Sequence, residues 1–447
     1  YLTFTGRNDW SSTLPKAERS YFYPGITGSF IFTELIPQDL KDIISFGKVR
    51  VAWGKTGNDA DWYSTQNVYA QAGADGSGFG EIDFPLGGLN AFTLSNIMGN
   101  NKLKPEMTTE WEFGLNMAFF RNRLSFDFAY YNRSTNNQTL AMNLDAGTGF
   151  TRRYVNIGEI TNKGVELLVQ GTPIKTRDWQ WDLNMNWSLN RSKVVSLPKD
   201  LGKEIVIFGF SGGTSLYAVK GKPLGVYKDQ RLERDPEGHV VVAANTGLPV
   251  KSDKYEYCGD MNHKYTLGWG TTIRWKDISL TANMEARVGG KMYTRTKGTT
   301  FFTGVAKQTV YNDRKPFIVP NSVNKVTADD GSVSYVENTT ALDYNYIQSY
   351  WADLYDCDAS NLVSRGFVKL RDVAVTWNLP KKWIDKTFLT GASVSFFGRN
   401  LLMWTPSDNT FVDPENTSVS GDLAAMFGEY GANPSTRSYG FNIKISF

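Results

Sequence analysis

The chain has 447 residues, 48 of them basic and 45 acidic, which gives a formal net charge of +3. The basic and acidic residues are interspersed along the chain and form no long runs, which argues against a nucleic-acid interface. With only two histidines and two cysteines, a catalytic or metal site rich in these residues is not expected. No apolar run reaches the roughly 18 residues of a membrane-spanning helix, whereas 14% aromatic residues and 42 glycines favour strands and turns.

Twelve segments alternate apolar and polar residues over about 9–11 positions, the length of a strand that crosses a membrane. They begin near residues 1, 22, 46, 108, 123, 163, 179, 263, 277, 367, 390 and 436. The clearest is the seventh, residues 179–190, with tryptophan, leucine and methionine on one face and asparagine, aspartate and serine on the other. Each such strand offers one face to lipid and one to water.

The connections between these segments fall into two classes. Short ones follow the second, fourth, sixth, eighth and tenth segments, around residues 36–45, 121–123, 175–178, 275–277 and 379–388. Long ones follow the odd-numbered segments, the longest near 56–107, 191–262, 294–366 and 405–435. Outer-membrane barrels alternate short periplasmic turns with long extracellular loops in this way. The strand-like segment 224–232 would reverse every later connection if it crossed the membrane, so we expect it in an extracellular loop.

Tryptophans are concentrated beside the short turns. An aromatic girdle at one membrane interface accounts for this position better than the packed core of a soluble β-sandwich. The residues concerned are Trp179, Trp181, Trp275, Trp377 and Trp383. The last segment, 439–447, ends on Phe447 and alternates in the same way, which predicts a terminal barrel strand. The chain opens inside a strand-like run without a signal peptide, so we expect a mature product or a fragment.

Six segments spread over the chain resemble SusC-like TonB-dependent transporters. They are NDWSSTLP (8–15), NNKLKPEMTTEWEFGL (100–115), VNIGEITNKGVEL (155–167), FVKLRDVAVTWNLP (367–380), GRNLLMWT (398–405) and PSTRSYGFNIKISF (434–447). The resemblance implies an all-β fold, a transmembrane antiparallel β-barrel of about twenty-two strands with a plug. Residues 1–447 would then be the C-terminal portion of the barrel, about twelve strands with long extracellular loops, and the plug and N-terminal strands would lie outside this chain.

The same resemblance implies a function without catalysis or cofactor. We expect import of oligosaccharides or peptides across the outer membrane of a Gram-negative bacterium, driven by the TonB complex through the missing N-terminal part. The implied partners are a SusD-like surface lipoprotein, the remaining barrel and plug, outer-membrane lipid and a second copy of the complex, but no nucleic acid. A passive porin, a barrel-based hydrolase and a structural subunit of an envelope complex remain alternatives.

The long loops carry aromatic rings beside carboxylates, a combination that can stack on sugar faces and accept hydroxyl hydrogen bonds. We therefore predict ligand-binding residues, against the alternative of loop packing or lipoprotein contact. The residues are Asp59, Trp62, Tyr63, Tyr344, Tyr346, Trp351 and Asp356.

Several acidic residues fall on the predicted inner face, either to guide a polar solute or to form interior salt bridges. They are Glu110, Glu112, Asp127, Glu166 and Asp182, with Arg274 and Arg287 as candidate counterparts. The motif DPEGH at 235–239 lacks the spacing of a calcium loop and predicts a turn, so no metal site is expected. Cys258 and Cys357 lie in predicted loops, and a disulfide and two free thiols both remain open.

Overall fold

The structure is a computed structural model that describes residues 1–72, 84–198, 202–209, 214–356, 358–417 and 426–447, without the side chains of residues 146, 353–356, 358 and 359. Twelve long strands form one antiparallel sheet in which each strand pairs with the next along the chain. They are β1 (Leu2–Trp10), β2 (Ser20–Ile31), β3 (Ile44–Asn58), β4 (Glu106–Phe119), β5 (Leu124–Asn143), β6 (Arg152–Lys175), β7 (Trp179–Ser196), β8 (Tyr265–Trp275), β9 (Ile278–Val288), β10 (Phe367–Asn378), β11 (Gly391–Trp404) and β12 (Ser438–Ser446). All twelve predicted strands are confirmed.

The sheet has one apolar face that packs against nothing in the described part of the chain. Leu280, Val375, Phe396 and Phe441 stand opposite one another across β9 to β12. Their exposed fractions are 39%, 44%, 64% and 67%, so the row is an outer surface and not a core. We call this the outer face, and the polar face opposite it the inner face.

Large aromatic side chains lie at the end of the sheet that carries the short turns. Trp179 stands opposite Trp275 with ring centroids 6.0 Å apart, and the rings of Trp377 and Trp383 meet edge to face at 5.6 Å. Trp181 lies two residues further along β7, and its Nε1 donates to Thr271 Oγ1 at 2.9 Å. This arrangement matches the predicted aromatic girdle.

The prediction of short even-numbered connections is confirmed, whereas long connections follow only four of the six odd-numbered strands. The short ones span residues 32–43, 120–123, 176–178, 276–277 and 379–390, and they contain a 3-10 turn at Phe32–Glu34 and the short helices α1 (Gln38–Lys41) and α4 (Lys381–Ile384). The long ones cover 59–105, 197–264, 289–366 and 405–437. Two odd-numbered connections are brief. They are residues 11–19, with a 3-10 turn at Lys16–Glu18, and residues 144–151, with a 3-10 turn at Ala146–Thr148.

Strand β6 begins at Arg152 and not near residue 163 as predicted. Its first half pairs with β5 throughout and with β7 from Glu159 onwards. There Ile157 and Ile160 are buried against Val194 of β7 and Ile205 of the loop that follows it, so a segment that reads as polar acquires a core from later parts of the chain.

The long connections contain their own small sheets and helices. One sheet has four strands, Glu204–Gly209, Ser215–Val219, Val226–Leu232 and Lys251–Asp260, and it confirms that the segment near 224–232 belongs to a loop. The others combine Val240–Val242 with Ser322–Thr327 and Val333–Glu337, Lys291–Thr294 with Leu362–Ser364 and Gly428–Glu429, Phe317–Ile318 with Ala341–Leu342, and Tyr69–Gln71 with Phe92–Leu94, while Ile97–Met98 joins β6. The helices are α2 (Arg295–Phe302) and α3 (Tyr344–Asp356), with 3-10 turns at Lys307–Arg314 and Asp358–Asn361.

Different loops share these small sheets, and most buried apolar side chains of the described residues lie in the long connections and not in the twelve-stranded sheet. Val240–Val242 pairs in parallel with Ser322–Thr327, and Lys291–Thr294 with Gly428–Glu429. Tyr227 and Phe427, both fully buried, pack with Tyr293 beside the second of these pairings. The connections after β7, β9 and β11 therefore form one packed body at their end of the sheet, which we call the loop body.

Strands β1 and β12 are the two edges of the sheet, and over the described ranges they are not paired with each other. None of the helices in these ranges is both long and apolar enough to cross a bilayer. Cys258 has a free thiol, whose Sγ donates to the Glu256 carbonyl at 3.4 Å. Cys357 lies outside the described residues, so the predicted alternatives for this pair stay open.

Candidate functional site

The first group of predicted binding residues divides into exposed rings and a structural carboxylate. Trp62 and Tyr63 are 81% and 66% exposed, and their rings stack with centroids 6.5 Å apart. Asp59 Oδ2 accepts hydrogen bonds from Ser11 Oγ at 2.5 Å and Thr13 Oγ1 at 3.0 Å. The two rings are available to a ligand, whereas Asp59 joins two loops.

The second group lies on α3 and divides in a similar way. Tyr344 and Trp351 line the same cavity of about 270 Å³, together with Phe301, Phe302 and Arg314. The Trp351 ring lies 5.6 Å from that of Phe301, and within the described part of the chain its indole N–H is buried without an acceptor. Tyr346 is different, because it packs on the apolar cluster around Phe317 and Leu342. The side chain of Asp356 lies outside the described residues.

The predicted acidic residues of the inner face are mostly held in ion pairs and hydrogen bonds, but with cations that the sequence did not suggest. Glu112 and Asp127 pair with Arg50 at 3.2 and 2.9 Å. Glu110 pairs with Arg133, and Asp182 accepts from Thr172 and Gln180 at 2.7 Å each. The prediction of Arg274 as a counterpart was wrong, because its guanidinium donates to Gln180 Oε1 at 2.5 Å. Glu166 lines a cavity of about 430 Å³ with Asp127.

The other predicted counterpart, Arg287, belongs to a larger set of charges where the inner face meets the loop body. We call this set the charge cluster. It consists of Glu285 and Arg287 on β9, Lys369 and Arg371 on β10, and Asp413 and Glu415 from the loop between β11 and β12. Lys369 Nζ lies 2.6 and 2.7 Å from the two oxygens of Asp413 and 2.6 Å from Glu415 Oε2. Arg371 bridges Glu285 and Glu415, each at 2.6 Å.

A β-bulge aims these side chains at one another. Lys369 stands opposite Glu285, but the register between β9 and β10 shifts beyond this pair, and Arg371 opposes no residue of β9 or β11. An extra residue in a strand redirects its side chain, so Lys369, Arg371 and Asp372 can all serve the polar face. The ring of Phe367 lies below the cations, 4.9 Å from Lys369 Nζ and 5.4 Å from Arg287 Cζ, where cation–π attraction favours them.

The cluster keeps the loop carboxylates ionised. Burial acts to raise the pKa of Glu415, but hydrogen bonds from Arg371 and Lys369 outweigh it and lower the pKa to about 2. The pKa of Asp413 is lowered as well, since the hydrogen bond from Lys369 overcomes its burial. Both groups therefore carry full negative charge at neutral pH.

A cavity of about 720 Å³ lies beside Asp413, between β11 and the loop that follows it. Amide and hydroxyl side chains dominate its lining, with Phe411 as a ring and Arg437 as a cation. Asn409 is committed to the loop itself, because its Nδ2 donates to the Ser364 carbonyl at 3.0 Å and its Oδ1 accepts from Val412 N at 3.3 Å. The volume falls in the range of ligand sites, about 300–1,000 Å³.

Asp235, Glu237 and His239 bring three potential metal-ligand atoms within 4.8 Å of one another. The carboxylate of Asp235 is already used, however. Its Oδ1 accepts from the backbone N–H groups of Glu237 and His239 at 3.0 and 2.8 Å, and its Oδ2 lies 2.8 Å from His239 Nδ1. This geometry confirms the turn that the DPEGH motif predicts.

Comparisons with known proteins agree with this architecture. The model of the family described as TonB dependent receptor-like, beta-barrel matches residues 1–232. TonB-dependent receptor P3 of Formosa agariphila is 26% identical over the whole chain, which covers 44% of that relative. TonB-dependent receptor SusC of Bacteroides thetaiotaomicron is 32% identical over 44% of the chain and 19% of its own length.

Among solved structures, the RagAB peptide transporter matches the whole chain with a TM-score of 0.71 at 22% identity, over 46% of its own chain. This likeness concerns the fold. The chain spans less than half the length of these relatives.

Proposed function

The chain belongs to the TonB dependent receptor-like β-barrel family, and we propose that it forms part of the wall and the outer loops of a receptor that imports a nutrient. Receptors of this family lie in the outer membrane of Gram-negative bacteria. The observation that carries the proposal is the two-faced sheet, whose apolar outer face suits lipid and whose inner face holds charged and amide side chains.

We propose that the chain is the C-terminal portion of the receptor and that the plug and the remaining strands come from the rest of the protein. Two features support this. The chain covers 44% of TonB-dependent receptor P3, and the edges of the sheet at β1 and β12 need partners, because unpaired backbone groups are not tolerated in lipid.

We further propose that a SusD-like lipoprotein covers the loop body, that TonB supplies the energy through the plug and that two such complexes associate. The support is the likeness to SusC and to the RagAB peptide transporter. The extracellular side of the sheet is then the end with the long loops.

The substrate class we propose is oligosaccharide or peptide, contacted by Trp62, Tyr63, Tyr344 and Trp351. Exposed rings can stack on a sugar or a side chain, and the first two are accessible in the structure. Asp59 and Tyr346 also make contacts within the loops, and together with Asp356 they remain ligand-binding residues predicted from the sequence.

The test is to purify the complete receptor from its own outer membrane and identify by mass spectrometry the proteins and small molecules that remain bound. We expect a surface lipoprotein and either a glycan or a peptide. Uptake of the identified molecule should stop when TonB is deleted, while binding persists.

A passive porin is the competing function. Single-channel recording on the intact receptor separates the two, since we expect little conductance from a plugged barrel. A large, constantly open conductance together with uptake that does not depend on TonB would rule out active import.

A further inference from the structure

The charge cluster joins two parts of the chain whose charges complement each other. Strands β9 and β10 of the barrel wall supply three cations, Arg287, Lys369 and Arg371, and one anion, Glu285. These four side chains together carry a net charge of +2. The loop between β11 and β12 supplies two anions, Asp413 and Glu415. The loop therefore neutralises the wall.

The pair at the centre of the cluster is withdrawn from water. The side chains of Lys369 and Asp413 are 6% and 4% exposed, and Ser435 also bonds to the Asp413 carboxylate. A buried ion pair adds little to stability compared with apolar packing, but it strongly favours one position of the two segments, because either charge alone would be left without compensation.

The same loop is held at a second place. Glu429 is fully buried and accepts hydrogen bonds from Thr294 Oγ1, from Thr296 N at 2.9 Å and from Gly431 N at 2.8 Å. These contacts attach the far part of the loop to the start of α2. The loop therefore lies with Asp413 and Glu415 against the inner face, while the ring of Phe411 packs on Phe301 of α2, 6.0 Å between centroids.

We propose that residues 410–415 are a fixed strap that covers and neutralises a cationic patch on the inner face of the barrel, a patch that would otherwise bind anionic groups such as carboxylate or sulfate. The inference rests on the proposed function only in that the inner face is the path of the solute. With the strap in place, Lys369 is buried, and the charges of Arg287 and Arg371 are paired with Glu285 and Glu415.

The first test measures the strap itself in the complete receptor. In the double variant Asp413→Asn with Glu415→Gln, we expect amide hydrogen exchange of residues 410–417 to rise by about tenfold or more, because local opening no longer breaks ion pairs. The matched control is Glu204→Gln, which removes a 2.6 Å ion pair to Lys228 in another loop and should leave this segment unchanged. Unchanged exchange in the double variant would overturn the proposal.

The second test measures the patch. An anionic acylating reagent, a sulfonated N-hydroxysuccinimide ester, should label Lys369 in the double variant but not in the wild type, and sulfate should slow that labelling. Labelling of Lys369 in the wild type at the rate of exposed lysines, or the absence of any sulfate effect in the variant, would contradict the inference.

A variant that exchanges the charges, Lys369→Asp with Asp413→Lys, covers the case in which the double variant fails to fold. It should restore slow exchange of the strap if charge pairing is the cause. Neither test requires transport, so a receptor that imports nothing would contradict the proposed function and leave the strap standing.

Discussion

At the scale of single residues, Lys369 is unusual because a wall strand buries its ammonium group beside two carboxylates. Removing one partner of a buried ion pair leaves the other charge uncompensated, which costs about 3–5 kcal/mol. We expect Lys369→Met to lower the free energy of unfolding of the receptor by that amount. Chemical denaturation in detergent, followed by the loss of heat-resistant mobility on gels, measures it.

The pair between Arg121 and Asp42 is the matched control. It also has two hydrogen bonds to one carboxylate, each of 3.1 Å, but its side chains are 79% and 69% exposed. Water screens such a pair, so Arg121→Gln should hardly change the unfolding midpoint. Equal effects of the two substitutions would mean that burial does not set the strength of the Lys369 contacts.

His239 provides a pH-dependent contact at the same scale. The hydrogen bond and the charge of Asp235 raise the pKa of His239 above its ordinary value. A group whose pKa is raised on folding stabilises the fold below its unfolded pKa, and this contribution disappears as the pH rises through the folded pKa. The turn at 235–239 should therefore be most stable at mildly acidic pH.

Nuclear magnetic resonance on histidine-labelled receptor tests this expectation. Asp235→Asn should return the pKa of His239 towards its ordinary value. His263 is the internal reference, since burial and then Arg365 lower its pKa and neither involves Asp235. A titration of His239 that the substitution leaves unmoved would exclude Asp235 as the cause.

At the scale of elements, the same substitution at two neighbouring positions of β10 should have different effects, because the two side chains lie on opposite faces of the sheet. Val375 lies in the exposed apolar row of the outer face, whereas Thr376 turns to the inner face and its Oγ1 lies 2.7 Å from Ser395 Oγ. An arginine facing lipid costs about 2–4 kcal/mol at the bilayer midplane and less towards the interface, where Trp377 lies two residues further along β10. Val375→Arg should therefore reduce the amount of folded receptor in the outer membrane far more than Thr376→Arg.

Quantitative immunoblots of outer-membrane fractions measure that difference. If both variants reached wild-type levels, the outer face of β10 would not contact lipid. If Thr376→Arg were the more harmful, the assignment of the two faces would be reversed.

The wall strands could be predicted from the sequence because their signal is local and repeats every second residue. The start of β6 was missed for a physical reason. Ile157 and Ile160 are apolar positions in a polar stretch, and only the later residues Val194 and Ile205 complete a core around them. A strand whose core comes from a distant loop has no local signature of its own.

The candidate site was predicted only in part for the same reason. The exposed rings Trp62 and Tyr344 are visible as aromatic residues in loops, but the charge cluster pairs residues 44 and 46 positions apart, as in Lys369 with Asp413 and Glu415. One signal was present in the sequence. Lys369 and Arg371 place two cations close together on β10, which indicates a polar face that needs counter-charges.

At the scale of the whole molecule, the two edges of the sheet determine what this chain can do by itself. Strand β1 and strand β12 each have one neighbour in the described structure. We expect the 447-residue chain, expressed alone in an outer membrane, to be degraded or to aggregate, because open edges are excluded from lipid. Co-expression with the remainder of the receptor should recover it.

Protease protection and gel mobility of the isolated chain test this expectation. A stable, protease-resistant species formed by the chain alone would show that its edges find partners elsewhere, for instance by closing on each other or on a second copy. The same assay on the complete receptor sets the reference for full protection.

The parallel pairings inside the loop body have a consequence for biogenesis. Val242 and Asn324 are 82 positions apart and Thr294 and Glu429 are 135 apart, yet each pair shares a buried hydrogen bond. Contacts of such separation form late, after the intervening chain has been ordered. The loop body should consequently fold in one final step, after the hairpins of the sheet have crossed the membrane. An antibody against the folded loop body would then bind fully assembled molecules and not those still being inserted.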